Sequence, residues 1–191
     1  MNYQEQILKK IQLYNLREEY NSNKPHPLEI VDKKLLKNKN FVLKAIKIDS
    51  FSLKFADEEL KNDPNVALYS LKIDGGSFDH FGQKLLNDKS FLIKIIKNKY
   101  KVDFNLRLIN PEFLKDKDFM YLYLSKIKPF YLEYSKDILP KYFKDDEKFI
   151  KKISKINDNY FDLASKQIRE KYLIHRVKKD GFVLTKYRNF K

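Results

Sequence analysis

The chain has 191 residues, a formal net charge of +14 and no cysteine. This length suits one domain with a continuous core, and 15 Phe and 13 Tyr give it more apolar surface than a disordered chain carries. The absence of cysteine excludes disulfides, thiolate metal sites and cysteine nucleophiles. With neither a secretory signal nor an apolar run long enough to span a membrane in view, we expect a soluble, cytoplasmic protein.

Residues 1–32 are predicted to form an amphipathic helix followed by a loop. Apolar residues that include Ile7 and Ile11 recur at helical spacing, and residues 21–27 are rich in Asn and Pro, as loops are. We expect the helix to cover the open end of a single helical repeat domain at residues 33–191, because the end of a stack of helices exposes apolar surface. A mobile arm is the alternative.

From residue 41 onward, one pattern of apolar residues recurs six times at spacings of 25, 25, 28, 30 and 23 residues. Offsets 0, +1, +4 and +5 from each starting residue are mostly apolar, and these offsets share one face of an α-helix but fall on both faces of a strand. The starting residues are Phe41, Val66, Phe91, Phe119, Phe149 and Tyr172. A period in this range predicts a solenoid of helix pairs, and we name the first helix of each pair helix A.

The predicted helices A have clear starts and ends. Three residues before five of the starting positions stands an Asn or Asp, where an N-cap side chain accepts a free backbone N–H. These residues are Asn38, Asp63, Asp88, Asp116 and Asp146. About seven residues after each start, turns such as Asp49-Ser50 and Asp74-Gly75-Gly76 are expected to end the helix.

A second apolar segment follows each predicted turn, and we expect it to form helix B. In the first pair this segment contains Phe51, Leu53, Phe55 and Leu60. Helices of this length are marginal alone in water, so neighbouring units must cover their apolar faces. The predicted fold is therefore all-α: an α-solenoid-like superhelix of about six helix-pair repeats of 23–30 residues each, preceded by the N-terminal helix.

The first predicted pair also carries a motif that extends from Leu36 to Asp49 and from Phe51 to Asp63. It has an apolar pair followed by an Ala-containing run that ends in Lys, and then Leu53-Lys-Phe-Ala56 with a leucine downstream. From about Leu35 to Lys99 the chain resembles an uncharacterised repeat family, the domain of unknown function 4116. Asp49-Ser50 replaces the Asn-Gly turn of that family. The resemblance implies a helical repeat fold and brings no catalytic residues with it.

Lysines recur at offsets +3 and +6 of the predicted helices A. These lysines, the candidate contacts for a polyanion or a protein partner, are Lys44, Lys47, Lys72, Lys94, Lys97, Lys152, Lys155 and Lys178. With neighbouring helices roughly 8–10 Å apart, they would line up as a lysine ladder along one side of the stack. The competing interpretation is structural, because a lysine in the last turn of a helix stabilises the negative end of the helix dipole.

No pattern in the sequence indicates catalytic or metal chemistry. The acidic residues 57–59 and 145–147 lie near predicted helix starts and fit caps, and His26, His80 and His175 have no second histidine at metal-binding spacing. We expect no enzyme, no cofactor and no metal site. The predicted function is a non-enzymatic protein-interaction scaffold. Nucleic-acid binding along the lysine ladder is the first alternative, and a small inhibitor or effector that blocks a target surface is the second.

Overall fold

The computed structural model describes residues 1–16, 25–98, 102, 105–126 and 139–172. Every regular element within these residues is helical, so the all-α prediction is confirmed. None of the helices found there is long and apolar enough to span a membrane. The chain divides into two compact units, Met1–Asn110 and Pro111–Lys191. The predicted division after residue 32 stays a prediction.

In its described residues, the first unit combines longer α-helices with one-turn α-helices and 3₁₀ helices. The longer helices are α1 (Tyr3–Leu16), α3 (Lys39–Ile48), α5 (Pro64–Ile73) and α7 (Lys89–Lys97). The one-turn helices are α2 (Lys33–Leu36), α4 (Glu58–Lys61) and α6 (Gln83–Leu86), and the 3₁₀ helices are η1 (Pro27–Ile30), η2 (Ser50–Phe55) and η3 (Gly75–His80). Between residues 27 and 97 the chain thus passes three times through a triplet of 3₁₀ helix, one-turn α-helix and longer α-helix.

The prediction that each second apolar segment forms one helix B is wrong, because the segment breaks into η2 and α4 in the first pair. Ala56 has φ −59° and ψ 154°, which is extended backbone and ends η2. Asp57 then starts α4, and its side chain accepts a hydrogen bond from Glu59 N at 3.2 Å. The same break follows η3, where Phe81 and Gly82 have ψ values of 149° and 152°.

The predicted N-caps of the longer helices are confirmed at all five positions. The side chains of Asn38, Asp63, Asp88, Asp116 and Asp146 each accept a hydrogen bond from a backbone N–H of the first helical turn. The bond from Phe41 N to Asn38 Oδ1, for example, measures 3.1 Å. Each cap satisfies a donor that has no partner within the helix and typically contributes about 1 kcal/mol.

The residues at offsets 0, +1, +4 and +5 form the core, as predicted. In α3 these are Phe41, Val42, Ala45 and Ile46, and none of them is more than 3% exposed. The corresponding residues of α5 and α7 are buried as well. Burying one such aliphatic or aromatic side chain contributes about 1.5–3 kcal/mol, so these stripes are a major part of the core, which also includes Leu53, Phe78 and Leu86.

Helices α3 and α5 lie side by side and run in the same direction. At their amino ends, Lys39 Nζ lies 2.6 Å from Asp63 Oδ2. Just beyond their carboxyl ends, Ser50 Oγ donates to Asp74 Oδ2 at 3.1 Å. Since like ends meet at both contacts, the two helices are parallel.

Helix α1 packs against α3. Its inward residues Ile7 and Ile11 are 4% and 0% exposed. Near its carboxyl end, Asn15 Nδ2 donates to Ile48 O, the last carbonyl of α3, at 3.0 Å. The N-terminal helix therefore covers apolar surface of α3.

A recurring backbone hydrogen bond links the end of a one-turn helix to the start of a helix about 21 residues later, which is α4, α6 or the helical residues 166–172. The donor is the residue just before the later helix, and the acceptor is the last residue of the one-turn helix, at 2.8–3.0 Å. Within the first unit the pairs are Asp57 N to Leu36 O and Gly82 N to Lys61 O, and Ser165 N to Lys144 O is the pair in the second unit. These bonds fix successive triplets in one register.

The second unit repeats several of these features. Its described elements are η4 (Pro111–Lys115), α8 (Lys117–Leu124), α9 (Lys141–Lys144), α10 (Glu147–Ser154), η5 (Asp158–Leu163) and the helical residues 166–172. Lys117 at the start of α8 pairs with Asp146, the N-cap of α10, as Lys39 pairs with Asp63. Most of the sixth predicted repeat, which starts at Tyr172, lies outside the described residues.

Candidate functional site

The face of α3, α5 and α7 that points away from the core consists of offsets −1, +2, +3 and +6. At about 100° per residue, these offsets lie opposite the buried stripe. We call this surface the outer face, and its residues are Asn40, Leu43, Lys44, Lys47, Asn65, Leu68, Tyr69, Lys72, Ser90, Ile93, Lys94 and Lys97. The lysines are exposed, whereas the aliphatic residues and the tyrosine are half-buried.

The outer face carries positive charge only. No Asp or Glu occurs within the bounds of α3, α5 or α7, although the three helices contain seven lysines. The nearest aspartates in sequence are caps at the helix ends, such as Asp63, Asp88, Asp49 and Asp74. Acidic and basic groups are therefore separated, with the acids at the edges and the lysines on the face.

Within the described part of the chain, the five outer-face lysines make no ion pair, and neither do other exposed lysines of the first unit such as Lys10, Lys34 and Lys84. Lys39, at the edge of the face, makes an ion pair with Asp63 at 2.6 Å. The five outer-face lysines are Lys44, Lys47, Lys72, Lys94 and Lys97, and their ammonium groups are exposed.

Five of the eight predicted contact lysines lie in the first unit, three of them on the parallel neighbours α3 and α5. Lys152 and Lys155 are exposed in the second unit, and Lys152 Nζ lies 3.9 Å from the ring centroid of Tyr121. Lys178 lies outside the described residues, as does His175. One ladder along all the predicted repeats therefore stays a prediction.

His26 has a structural role that the sequence did not indicate. Its side chain is 3% exposed, and its ring stacks on Phe55 with centroids 4.5 Å apart. Nδ1 accepts from Leu28 N at 3.1 Å, so the proton is on Nε2, which lies 3.2 Å from Asp49 Oδ2. This ring joins η1 to η2. The only feature of the local sequence that set His26 apart was its position between two prolines.

Sequence reasoning also missed an exposed aromatic group on the 3₁₀ helices. Phe51 was assigned to an apolar helical stripe, yet it is 41% exposed. The His80 ring meets it edge-on with centroids 4.8 Å apart, and Lys54 Nζ lies 4.9 Å from its centroid. Burial lowers the pKa of His80, and Lys54 adds to this effect while Asp79 opposes it. The lowered pKa disfavours the protonated form of the His80 ring.

The acidic clusters serve as caps and ion pairs. Asp57 and Asp146 are N-caps. Hydrogen bonds from Lys151 and Lys171, each 2.7 Å long, lower the pKa of Glu147 to about 2. Within the described ranges, no group of three or more His, Asp or Glu residues could hold a metal ion.

An open cleft of about 570 Å³ lies at the amino ends of α1, α2 and α3. Asn2, Asp32 and Asn38 are among its lining residues. Each of these three side chains already accepts a hydrogen bond from a backbone N–H at the start of a helix. The polar groups of the cleft therefore organise helix starts.

One family model matches part of the first unit. The model of a family described as Domain of unknown function (DUF4116) matches residues 18–61 and 38–84. The chain resembles this family over those residues. The two overlapping matches are displaced by about one triplet and fall within the first unit. No curated protein and no solved structure matches the chain significantly.

Proposed function

We propose that this chain is a non-enzymatic protein-interaction scaffold whose partner binds the outer face. The triplets are taken to stack as helical repeats into an α-solenoid-like superhelix. Each triplet is too small to bury its apolar side alone, so adjacent triplets must close over one another. Such stacking presents equivalent side chains at regular intervals, which suits the recognition of an extended partner.

The composition of the outer face of α3, α5 and α7 is the observation that supports the proposal. A face that serves only solubility mixes both signs of charge, whereas this face has five unpaired lysines and no acidic residue. Half-buried Leu43, Leu68 and Ile93 lie among the lysines. Apolar surface within a rim of single-sign charge is typical of a protein-binding surface.

Crosslinking with a matched pair of variants tests this function. The tagged chain is crosslinked in an extract of its native cells, and captured proteins are identified by mass spectrometry. The test variant is Lys47→Glu/Lys72→Glu/Lys97→Glu. The control variant reverses three exposed lysines of the same unit outside the outer face, Lys10, Lys34 and Lys84, so that both variants have the same net charge.

We expect the wild type and the control variant to capture the same protein, and the test variant to lose it. Circular dichroism of the three chains verifies that all are folded. The proposal fails if no protein is captured specifically by the wild type, or if the test variant captures the same protein with equal yield.

Nucleic-acid binding is the second candidate, favoured by the exposure of Lys44, Lys47, Lys72, Lys94 and Lys97 on one face. It predicts that the logarithm of the affinity falls linearly with the logarithm of salt concentration, with a slope of about −0.9 for each phosphate contacted. Reversing four ladder lysines, Lys47, Lys72, Lys97 and Lys155, should abolish binding. Binding that ignores these four changes would exclude the ladder as a nucleic-acid site.

A further inference from the structure

We infer that the outer face binds an acidic amphipathic α-helix of a partner protein, which lies across α3, α5 and α7. The inference rests on the proposed function and names the chemistry of the partner. Two rows of side chains on the outer face carry it. The apolar row contains Leu43, Leu68 and Ile93 at offset +2, and the basic row contains Lys47, Lys72 and Lys97 at offset +6.

The two rows run side by side across α3 and α5, which are parallel neighbours. Since the offsets differ by four residues, the basic row lies about 6 Å further along each helix axis than the apolar row. The hydrogen bond from Gly82 N to Lys61 O repeats the one from Asp57 N to Leu36 O, so the third triplet follows the second as the second follows the first, and we extend both rows to α7 on this ground. Lys84 N also donates to Asn62 Oδ1 at 2.9 Å. A segment that crosses the helices thus meets one apolar and one basic side chain at each of them.

The spacing of the rows favours a helical partner over an extended one. Packed helices are about 8–10 Å apart. Residues i and i+7 of an α-helix share a face and are separated by about 10.5 Å. Same-face residues of a strand are separated by about 6.7 or 13 Å, which fits the rows less well. A helix with apolar residues at i, i+7 and i+14 can therefore contact all three members of the apolar row.

The position of the basic row determines which flank of the partner helix must be acidic. The basic row lies on the carboxyl-terminal side of the apolar row, so the partner must carry Asp or Glu on the flank that faces the ends of α3, α5 and α7. No acidic residue lies within these helices, and the C-cap carboxylates on this flank, Asp49 and Asp74, already accept hydrogen bonds from Phe51 N, Ser50 Oγ and Gly76 N. Complementary charge of this kind accelerates association and fixes orientation.

The composition of the face favours a protein helix over a nucleic acid. A phosphate backbone would leave the apolar row of Leu43, Leu68 and Ile93 without a partner. Bases stack on aromatic side chains, and Tyr69 is the aromatic residue among the twelve that define the outer face. Arginine, whose planar fork suits phosphate, does not occur among these twelve residues.

Two synthetic 20-residue peptides of equal composition test the inference with the full-length chain. The ordered peptide has Leu at i, i+7 and i+14 with Glu along one flank, and the scrambled peptide has the same residues in an aperiodic order. A zero-length carbodiimide reagent joins peptide carboxylates to lysine amines that they contact. The crosslinked lysines are identified by mass spectrometry, and affinities are measured by fluorescence anisotropy.

We expect the ordered peptide to bind at least about tenfold more tightly than the scrambled one and to crosslink at Lys47, Lys72 and Lys97. The Lys47→Glu/Lys72→Glu/Lys97→Glu variant should lose about tenfold or more in affinity, since each contact contributes several-fold. The Leu68→Ser/Ile93→Ser variant should lose a similar factor while its circular dichroism is unchanged.

Equal binding of both peptides, crosslinks concentrated at Lys10, Lys34 and Lys84, or tighter binding of a single-stranded 20-mer of thymidine would overturn the inference. These results leave the proposed function standing if the test variant still loses the protein captured from native cells. Loss of specific capture in the wild type, by contrast, would remove the proposed function itself.

Discussion

Gly82 lacks the capping side chain that starts the other one-turn helices of its unit, and Asn62 supplies the acceptor instead. At the start of α4, Asp57 Oδ1 accepts from Glu59 N at 3.2 Å. At the start of α6, the acceptor for Lys84 N is Asn62 Oδ1, at 2.9 Å. Gly82 has φ −71° and ψ 152°, which any L-residue adopts. A Cβ at Gly82 would collide with the Asn62 amide, so the glycine makes room for the cap.

Substitutions at Asn62 and Gly82 should therefore be strongly coupled. Asn62→Ala removes the acceptor and should cost about 1 kcal/mol, the usual value for a lost N-cap. Gly82→Ala should cost about 1–3 kcal/mol, since overpacking adds to the displaced cap. Asn62→Ala/Gly82→Ala should cost no more than Asn62→Ala, because the collision is gone. Asn62→Ala/Gly82→Asp should approach the wild type, since the new carboxylate caps Lys84 N.

Hydrogen exchange of the Lys84 amide is the sharpest assay, and urea unfolding followed by circular dichroism supports it. A local probe is needed because a chain with two compact units need not unfold in one step. The reasoning is refuted if Gly82→Ala leaves the exchange of this amide unchanged. It is also refuted if Asn62→Ala/Gly82→Asp is as destabilised as Asn62→Ala alone.

Three further predictions concern buried and paired polar groups. Ser52→Ala should be neutral or raise the melting temperature, because Ser52 Oγ is buried without a hydrogen-bond partner in the described chain. Ser77→Ala should instead cost about 1 kcal/mol, because Ser77 Oγ makes two hydrogen bonds. Equal effects of the two substitutions on the melting temperature would contradict this prediction. Hydrogen bonds from Lys117 and from the backbone depress the pKa of Asp146, so its contribution to stability is present above about pH 4 and is lost as pH falls through the lowered value. Lys117→Met should flatten that part of a stability–pH curve, and an unchanged curve would exclude the pair as its cause. His26→Phe should keep the ring stack on Phe55 but cost about 1–3 kcal/mol, because it leaves the buried backbone N–H of Leu28 without an acceptor. Thermal unfolding would detect this loss. An unchanged melting temperature would show that the two ring nitrogens do not contribute to stability.

The sequence predicted the features that depend on short-range chemistry. An Asn or Asp three residues before an apolar pair fixes where a helix begins, as at Asn38 and Phe41. The offsets 0, +1, +4 and +5 fix which face is buried. Both kinds of signal lie within one or two helical turns, so no knowledge of distant contacts was needed.

The second apolar segment could not be predicted in the same way. Six residues such as Ser50–Phe55 do not distinguish a 3₁₀ helix from an α-helix, because the two differ by one residue in hydrogen-bond register. The break at Ala56 and Asp57 carries no Gly or Pro. The Asp57 cap was visible, but the acidic residues 57–59 also fit a position near the start of a longer helix.

The candidate site was predicted in part. Exposure of the lysines followed from their offsets, and Lys44, Lys47, Lys72, Lys94 and Lys97 are indeed exposed. The half-buried apolar row among them was not predicted, since the extent of burial at offset +2 depends on neighbouring elements. Contacts of His26 with Asp49, 23 residues away, depend on tertiary packing that spacing alone does not reveal.

Lysine footprinting tests the central claim most directly. The chain is acetylated as purified protein and again after crosslinking to its captured partner, and the reactivity of every lysine is compared by mass spectrometry. Partner binding on the outer face predicts protection of Lys47, Lys72 and Lys97, with unchanged reactivity at the control lysines Lys10, Lys34 and Lys84. Protection of the control lysines with full reactivity at Lys47, Lys72 and Lys97 would contradict the claim.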